Sequence, residues 1–123
     1  MTVRRIVPNL AVPDPYAARA FYAGFLSLDL VMDLGFIVTF ASPAAQRPEV
    51  SLAREGGSGT PVPDISVEVD DVDLYHRRAL DAGLEVTYGI VDEPWGVRRF
   101  YVREPLGRIV NILSHAPAGP GTN

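Results

Sequence analysis

The feature that most constrains this chain is that it repeats itself. The stretch LAVPDPYAARAFYAGFLSLDLV, residues 10 to 31, aligns with VEVDDVDLYHRRALDAGLEV, residues 67 to 86, at an offset of about 57 residues. Each copy reads as strand, acidic helix start, helix and strand. A period of this size also occurs in solenoids, but two copies without a third are too few to bury a stacked core.

Periodicity fills in the rest of each copy. In RRIVPNLAV the side chains of Ile6, Pro8, Leu10 and Val12 alternate with Val7, Asn9 and Ala11, which is a strand pattern. Asp14 and Pro15 then start a helix running to about Leu26, because aspartate accepts free backbone N–H groups and proline is pre-shaped for the first helical position. Its stripe of Ala18, Phe21, Tyr22 and Phe25 should face a core. Strands are expected at 29–34, 36–42 and 49–54. The glycine- and proline-rich joint EGGSGTPVP, residues 55 to 63, closes this copy. In the second copy DISVEV sets Ile65, Val67 and Val69 against Asp64, Ser66 and Glu68. Asp70 and Asp71 cap a helix that ends at Gly83, and strands follow near 84–91, 97–103 and 108–113. The expected fold is therefore α+β: two tandem βαβββ modules, about 3–54 and 64–114, forming a curved mixed sheet around a shared cavity. One domain, residues 1–116, would hold both modules, with 117–123 as a flexible tail.

Composition narrows the function. Lys and Arg total 11 against 15 Asp and Glu, a net charge of -4, which lacks the positive field that nucleic acid binding requires. No cysteine is present, so disulfides, thiolate metal sites and cysteine nucleophiles are excluded. No apolar run approaches the roughly 20 residues that span a bilayer, and the N-terminal stretch meets Pro8, Asn9 and Pro13 instead of a signal-peptide core. A cytoplasmic location, with neither nucleic acid nor membrane as a partner, follows by default. There is also no phosphate loop and no Ser-His-Asp pattern.

A four-stranded sheet with a helix on one side leaves its other side open, so function is expected in the hollow between modules. If the strongly apolar set of each first strand lies under its helix, the hollow receives Val7, Asn9 and Ala11 from one module and Asp64, Ser66 and Glu68 from the other. The last strands add Ser51 and Asn111, with Val50, Leu52, Val110 and Ile112 under the helices. Phe40, Tyr88 and Phe100 are core or cavity wall. Arg98, Arg99 and Arg103 read as surface ion-pair partners of Glu93 and Glu104, with Arg98 also a candidate anchor for an acidic ligand.

The repeat, together with VPNLAVPDPYAARAFYAGFLSLDL, VEVDDVDLYHRRALDAGLEV and PWGVRRFYVREPLGRIVNI, resembles the vicinal oxygen chelate superfamily of glyoxalases, ring-cleaving dioxygenases and bleomycin-resistance proteins. The resemblance covers the chain except its tail. In the family's metal enzymes the ligands come from the first and last strands of each module, which here are Val7, Ser51, Asp64 and Asn111. Only Asp64 among these is a credible ligand, so the resemblance implies a metal-free member without cofactor. The PWG at 94–96 and the Val7-Pro8 pair are similar to the bleomycin-resistance branch. That similarity implies a homodimer, an N-terminal strand exchanged near Pro8, and Trp95 stacking on a planar ligand.

The resulting expectation is metal-free sequestration of a small, partly aromatic molecule such as an antibiotic or secondary metabolite. Asn9, Ser66 and Asn111 would orient it, and Asp64 and Glu68 would favour positive charge. The ligand-binding set is Asn9, Phe40, Ser51, Asp64, Ser66, Glu68, Tyr88, Trp95, Arg98, Phe100 and Asn111, with no catalytic residue assigned. Two rivals stand beside it: a metal-dependent lyase or isomerase drawing on Asp64, Glu68, His76 or His115, and an accessory homodimer without a small ligand.

Overall fold

A computed structural model describes residues 1–115, so the expected flexible tail lies outside the described residues. The strands are β1 (Val3–Ala11), β2 (Asp29–Asp33), β3 (Ile37–Ala41), β4 (Glu49–Ala53), β5 (Ile65–Val69), β6 (Val86–Asp92), β7 (Val97–Arg103) and β8 (Ile109–His115). They form a mixed eight-stranded sheet in the order β2-β3-β4-β1-β5-β8-β7-β6. Two compact units result. The first is Val7–Ile65, and the second joins Met1–Ile6 to the residues from Ser66 on. No helix of the described residues is long and apolar enough to cross a membrane.

In the first unit β1 runs parallel to β4, while β2, β3 and β4 are antiparallel neighbours. Alternation along these strands puts Val38, Phe40 and Leu52 on one side, where Val12, Ala18, Tyr22, Ala23, Leu28, Leu30 and Val50 pack against them. The segment over this core differs from the expected regular helix. Asp14 does take up the Tyr16 N–H, at 3.0 Å, but turns follow, and then a π-helix over Ala20–Phe25 in which Leu26 N–H donates to the Phe21 carbonyl at 2.9 Å. The wider winding breaks the three- and four-residue stacking on which the expected stripe depended. Ala18 and Tyr22 face the core, with the Tyr22 ring stacked on Phe40 at 5.5 Å. Phe21 and Phe25 turn outward, and Phe25 is 75% exposed.

So short a helical segment also leaves part of β1 uncovered. Leu10, expected beneath the helix, is exposed, as is Ile6, whereas Val7 and Asn9 are buried. The joint is an ordered turn. Gly57, Ser58 and Gly59 all have positive φ, which glycine adopts without strain, and Thr60 is tied back to Gly57 through both its N–H and its hydroxyl.

The second unit follows its sequence closely. Helix α1 (Val72–Asp81) is capped by Asp71, whose carboxylate accepts the Leu74 N–H at 3.3 Å. At its other end Gly83, φ 70°, donates to Leu80 while Leu84 donates to Ala79, a paired closure that requires a left-handed residue at Gly83. Val67, Val69, Val72, Ala79 and Phe100 are buried here, and the His76 ring meets Phe100 edge-on at 5.0 Å. The N-terminal arm is fastened to this unit. The Met1 amine lies 3.3 Å from Asp70, Thr2 N–H donates to the same carboxylate at 2.9 Å, and the Thr2 carbonyl accepts the Asp70 N–H.

Candidate functional site

The geometry of β7 and β8 decides which side chains share a face. Glu104-Pro105-Leu106-Gly107 closes a tight turn, with Gly107 N–H on the Glu104 carbonyl and Glu104 N–H on the Arg108 carbonyl, both at 2.9 Å. From there the register counts out without slippage: Tyr101 lies opposite Asn111, Phe100 opposite Ile112 and Arg99 opposite Leu113. One side of this ladder carries Phe100 and Arg98 toward α1. The other carries Asn111, Tyr101 and Arg99, joined from β5 by Ser66 and Glu68.

On that second side, Asn111 Nδ2 donates to Ser66 Oγ at 3.1 Å. Its Oδ1 is buried without a hydrogen-bond partner, and the residue is 6% exposed. Turning the amide over would exchange the roles of its two atoms and still leave one unsatisfied. Most buried polar groups are paired, whereas this oxygen has no protein partner.

Next to it stands the most enclosed charge pair among the described residues. Arg99 Nε and Nη2 each lie 2.7 Å from Glu93 Oε2, with the side chains 4% and 3% exposed. Tyr88 adds its hydroxyl to the same oxygen at 3.1 Å. The guanidinium lies over Trp95, Tyr101 and Tyr88, at 4.9, 5.0 and 5.4 Å from the ring centroids. Arg99 is thus buried and not the surface ion-pair partner expected, because it shares the parity of Asn111. The indole expected to stack on a ligand already carries an intramolecular cation.

Further along, Glu68 is held from two sides, by Arg5 Nε at 2.9 Å and His115 Nδ1 at 2.9 Å. Its charge is compensated, which removes the reason for expecting it to draw a cation. Asp64 precedes β5, is exposed, and offers its carbonyl to Asn9 N–H at 3.0 Å. Arg98 faces α1, pairing with Asp73 at 3.0 Å and Asp92 at 3.2 Å, and those carboxylates, Asp73 first, push its pKa up. Phe100 faces α1 as well.

In the first unit Asn9, Ser51 and Thr39 stand side by side on adjacent strands, all buried, with the Thr39 and Ser51 hydroxyls 2.7 Å apart. Phe40 lies on the opposite side of that sheet. Of the expected site residues, the structure therefore gathers Ser66, Glu68, Tyr88, Trp95 and Asn111 in the second unit, and Asn9 with Ser51 in the first. Phe40, Arg98 and Phe100 it turns toward the helices. Sequence reasoning paired Arg99 with Glu93 but placed the pair at the surface, considered His115 only as a metal ligand, and did not single out Tyr101, Thr39 or Arg5, although the turn at 104–107 already implied that Asn111 faces Tyr101.

The metal-ligand positions implied by resemblance do not fit a divalent ion. Val7 has no donor atom, the Ser51 hydroxyl is engaged with Thr39, Asn111 is a neutral amide bonded to Ser66, and Asp64 is a single exposed carboxylate. Among the described residues no group of three or more His, Asp or Glu is placed to hold an ion.

Comparison with known proteins agrees with this architecture. A structure from Legionella pneumophila described as an NAD-dependent benzaldehyde dehydrogenase superposes with a TM-score of 0.72 at 15% identity, covering 90% of this chain and 99% of that one. A hypothetical protein from Bacillus halodurans C-125 gives 0.72 at 14% identity, covering 98% and 100%. Methylmalonyl-CoA epimerase from Mycobacterium tuberculosis gives 0.62 at 16%, covering 94% and 88%. At such identities these likenesses show the fold alone. No curated protein matches the chain. The sequence itself, over residues 3–112, matches the family described as the Glyoxalase/Bleomycin resistance protein/Dioxygenase superfamily, and to that superfamily the chain belongs.

Proposed function

We propose that the protein binds and sequesters a small, partly aromatic molecule, an antibiotic or secondary metabolite, without a metal and without turnover. The observation that carries this reading is the character of the face around Asn111. Its polar groups are an amide, a hydroxyl and ion pairs already closed on themselves, and its apolar groups are Leu113 and aromatic rings. Such a surface offers shape, ring contact and hydrogen bonding, and lacks the convergent imidazoles and carboxylates that a Lewis-acid mechanism needs.

The protein acts in the cytoplasm as a homodimer of the bleomycin-resistance type. The outward Phe21 and Phe25 rings, 5.4 Å apart, suit contact with a second copy. Exchange of the N-terminal strand would pass the contacts of Thr2 with Asp70 and Arg5 with Glu68 to that copy.

A thermal-shift screen across antibiotics, aromatic acids and thiol conjugates tests the reading, followed by calorimetric titration of the hits. A ligand present at about a hundred times its Kd adds roughly 2.7 kcal/mol to stability, a shift easily measured. Saturable binding with the compound recovered unchanged supports sequestration. Chemical conversion of the compound, abolished by a chelator, would replace it with metal-dependent lyase or isomerase chemistry.

A further inference from the structure

The charged groups on the Asn111 face of the second unit are closed on one another. Glu93 holds Arg99, Glu68 holds both Arg5 and His115, and Glu85 holds Arg103 at 3.2 Å. A ligand that brought a net charge to this face would give up hydration and find each opposite charge already engaged. The group that does lack a partner is neutral: the buried amide of Asn111, with one of its two polar atoms unsatisfied.

We infer that the ligand class of this face is an uncharged aromatic carboxamide, its amide pairing with that of Asn111. A carboxamide presents an N–H donor and a carbonyl acceptor side by side, so it completes Asn111 in either orientation of the side chain. Asn111 is almost wholly buried, and a bond to its unpaired atom would offset part of the cost of reaching it. The inference rests on the sequestration reading and deepens it by naming the ligand's charge and hydrogen-bonding group. It also replaces the preference for positive charge expected from Asp64 and Glu68 with a preference for a neutral ligand.

Three compounds of nearly equal shape separate the possibilities when titrated calorimetrically into the full chain at pH 7: indole-3-acetamide, indole-3-acetate and tryptamine. The amide is expected to bind at least tenfold more tightly than either charged analogue, and Asn111→Leu to weaken it at least tenfold. Asn111→Ser, which keeps a shorter polar group, serves should the leucine variant not fold. In labelled protein the side-chain NH2 resonances of Asn111 should shift with the amide. Equal or tighter binding of the acid or the amine overturns this inference and leaves sequestration standing. So does failure of all three at millimolar concentration while another compound class binds. Should no compound bind at all, the sequestration reading falls and takes the inference with it.

Discussion

Asn111 and Arg99 sit on the same side of adjacent strands and obey opposite rules. Asn111 leaves one polar atom buried and unpaired, which costs on the order of 1–3 kcal/mol relative to an apolar group of similar shape. Asn111→Leu removes that penalty and also the bond to Ser66, two effects of similar size, so stability in urea unfolding should move by less than about 1 kcal/mol, with an unchanged m-value, while the ligand is weakened. A larger loss of stability would mean that the asparagine is structural. Arg99 is the reverse case, since its charge is hydrogen-bonded to Glu93 and covered by three rings. Arg99→Ala strands a buried carboxylate and should cost about 3–5 kcal/mol, whereas Arg98→Ala, which opens only exposed pairs, should cost less than about 1 kcal/mol. Equal costs for the two would contradict the burial difference. The Arg99 stack has a further consequence for Trp95. Because the guanidinium packs on the indole, Trp95→Ala should lower the melting temperature, so it is a poor probe of ligand binding by itself.

At the level of elements, what was legible follows from what each pattern depends on. Strand alternation and the Asp71 and Gly83 caps are local, and they placed β5, α1 and the strands after it to within a few residues. The π-helix was not legible, because the aromatic spacing of Phe21, Tyr22 and Phe25 fits a 3.6-residue turn as readily as a wider one. The side to which β7 points follows from the turn at 104–107, whereas alternation alone left Phe100 between core and cavity wall, and Arg98, on the same face, with it. Tyr88 could not be placed by counting at all, since β6 shifts register on both sides of it.

The N-terminal arm supplies the element-scale prediction. Asp70 has its pKa lowered, first by the Thr2 N–H and then by the N-terminal amine and the Asp71 N–H. A depressed folded pKa contributes stability above the unfolded value of about 3.9 and loses it as pH falls through the folded value. Asp33, lowered by the Tyr16 hydroxyl and the Gly35 N–H, acts in the same window. Melting curves between pH 2 and pH 5 should show a shallower acid limb for Asp70→Asn than for the wild type. Faster amide exchange over residues 3–6 should accompany it. An unchanged limb would mean that the arm is held by something other than Asp70.

For the whole molecule, the decisive quantity is the stock of metal donors. The chain has no cysteine and two histidines, one against Phe100 and the other bound to Glu68. Its carboxylates are spread among ion pairs and helix caps, and none gathers into a set of three among the described residues. A resident ion would stabilise the folded state by mass action, and at about a hundred times its Kd would raise the melting temperature on the order of 10 °C for a chain of this size. Melting in excess EDTA should therefore match melting in millimolar Zn, Ni or Mn within about 1 °C, and elemental analysis of protein prepared without metal should find each metal far below one equivalent. A rise of several degrees with one of these ions, reversed by EDTA, would place ligands where the fold shows none. It would favour metal-dependent lyase or isomerase chemistry over sequestration, because Lewis-acid catalysis needs three or more converging donors to hold its ion.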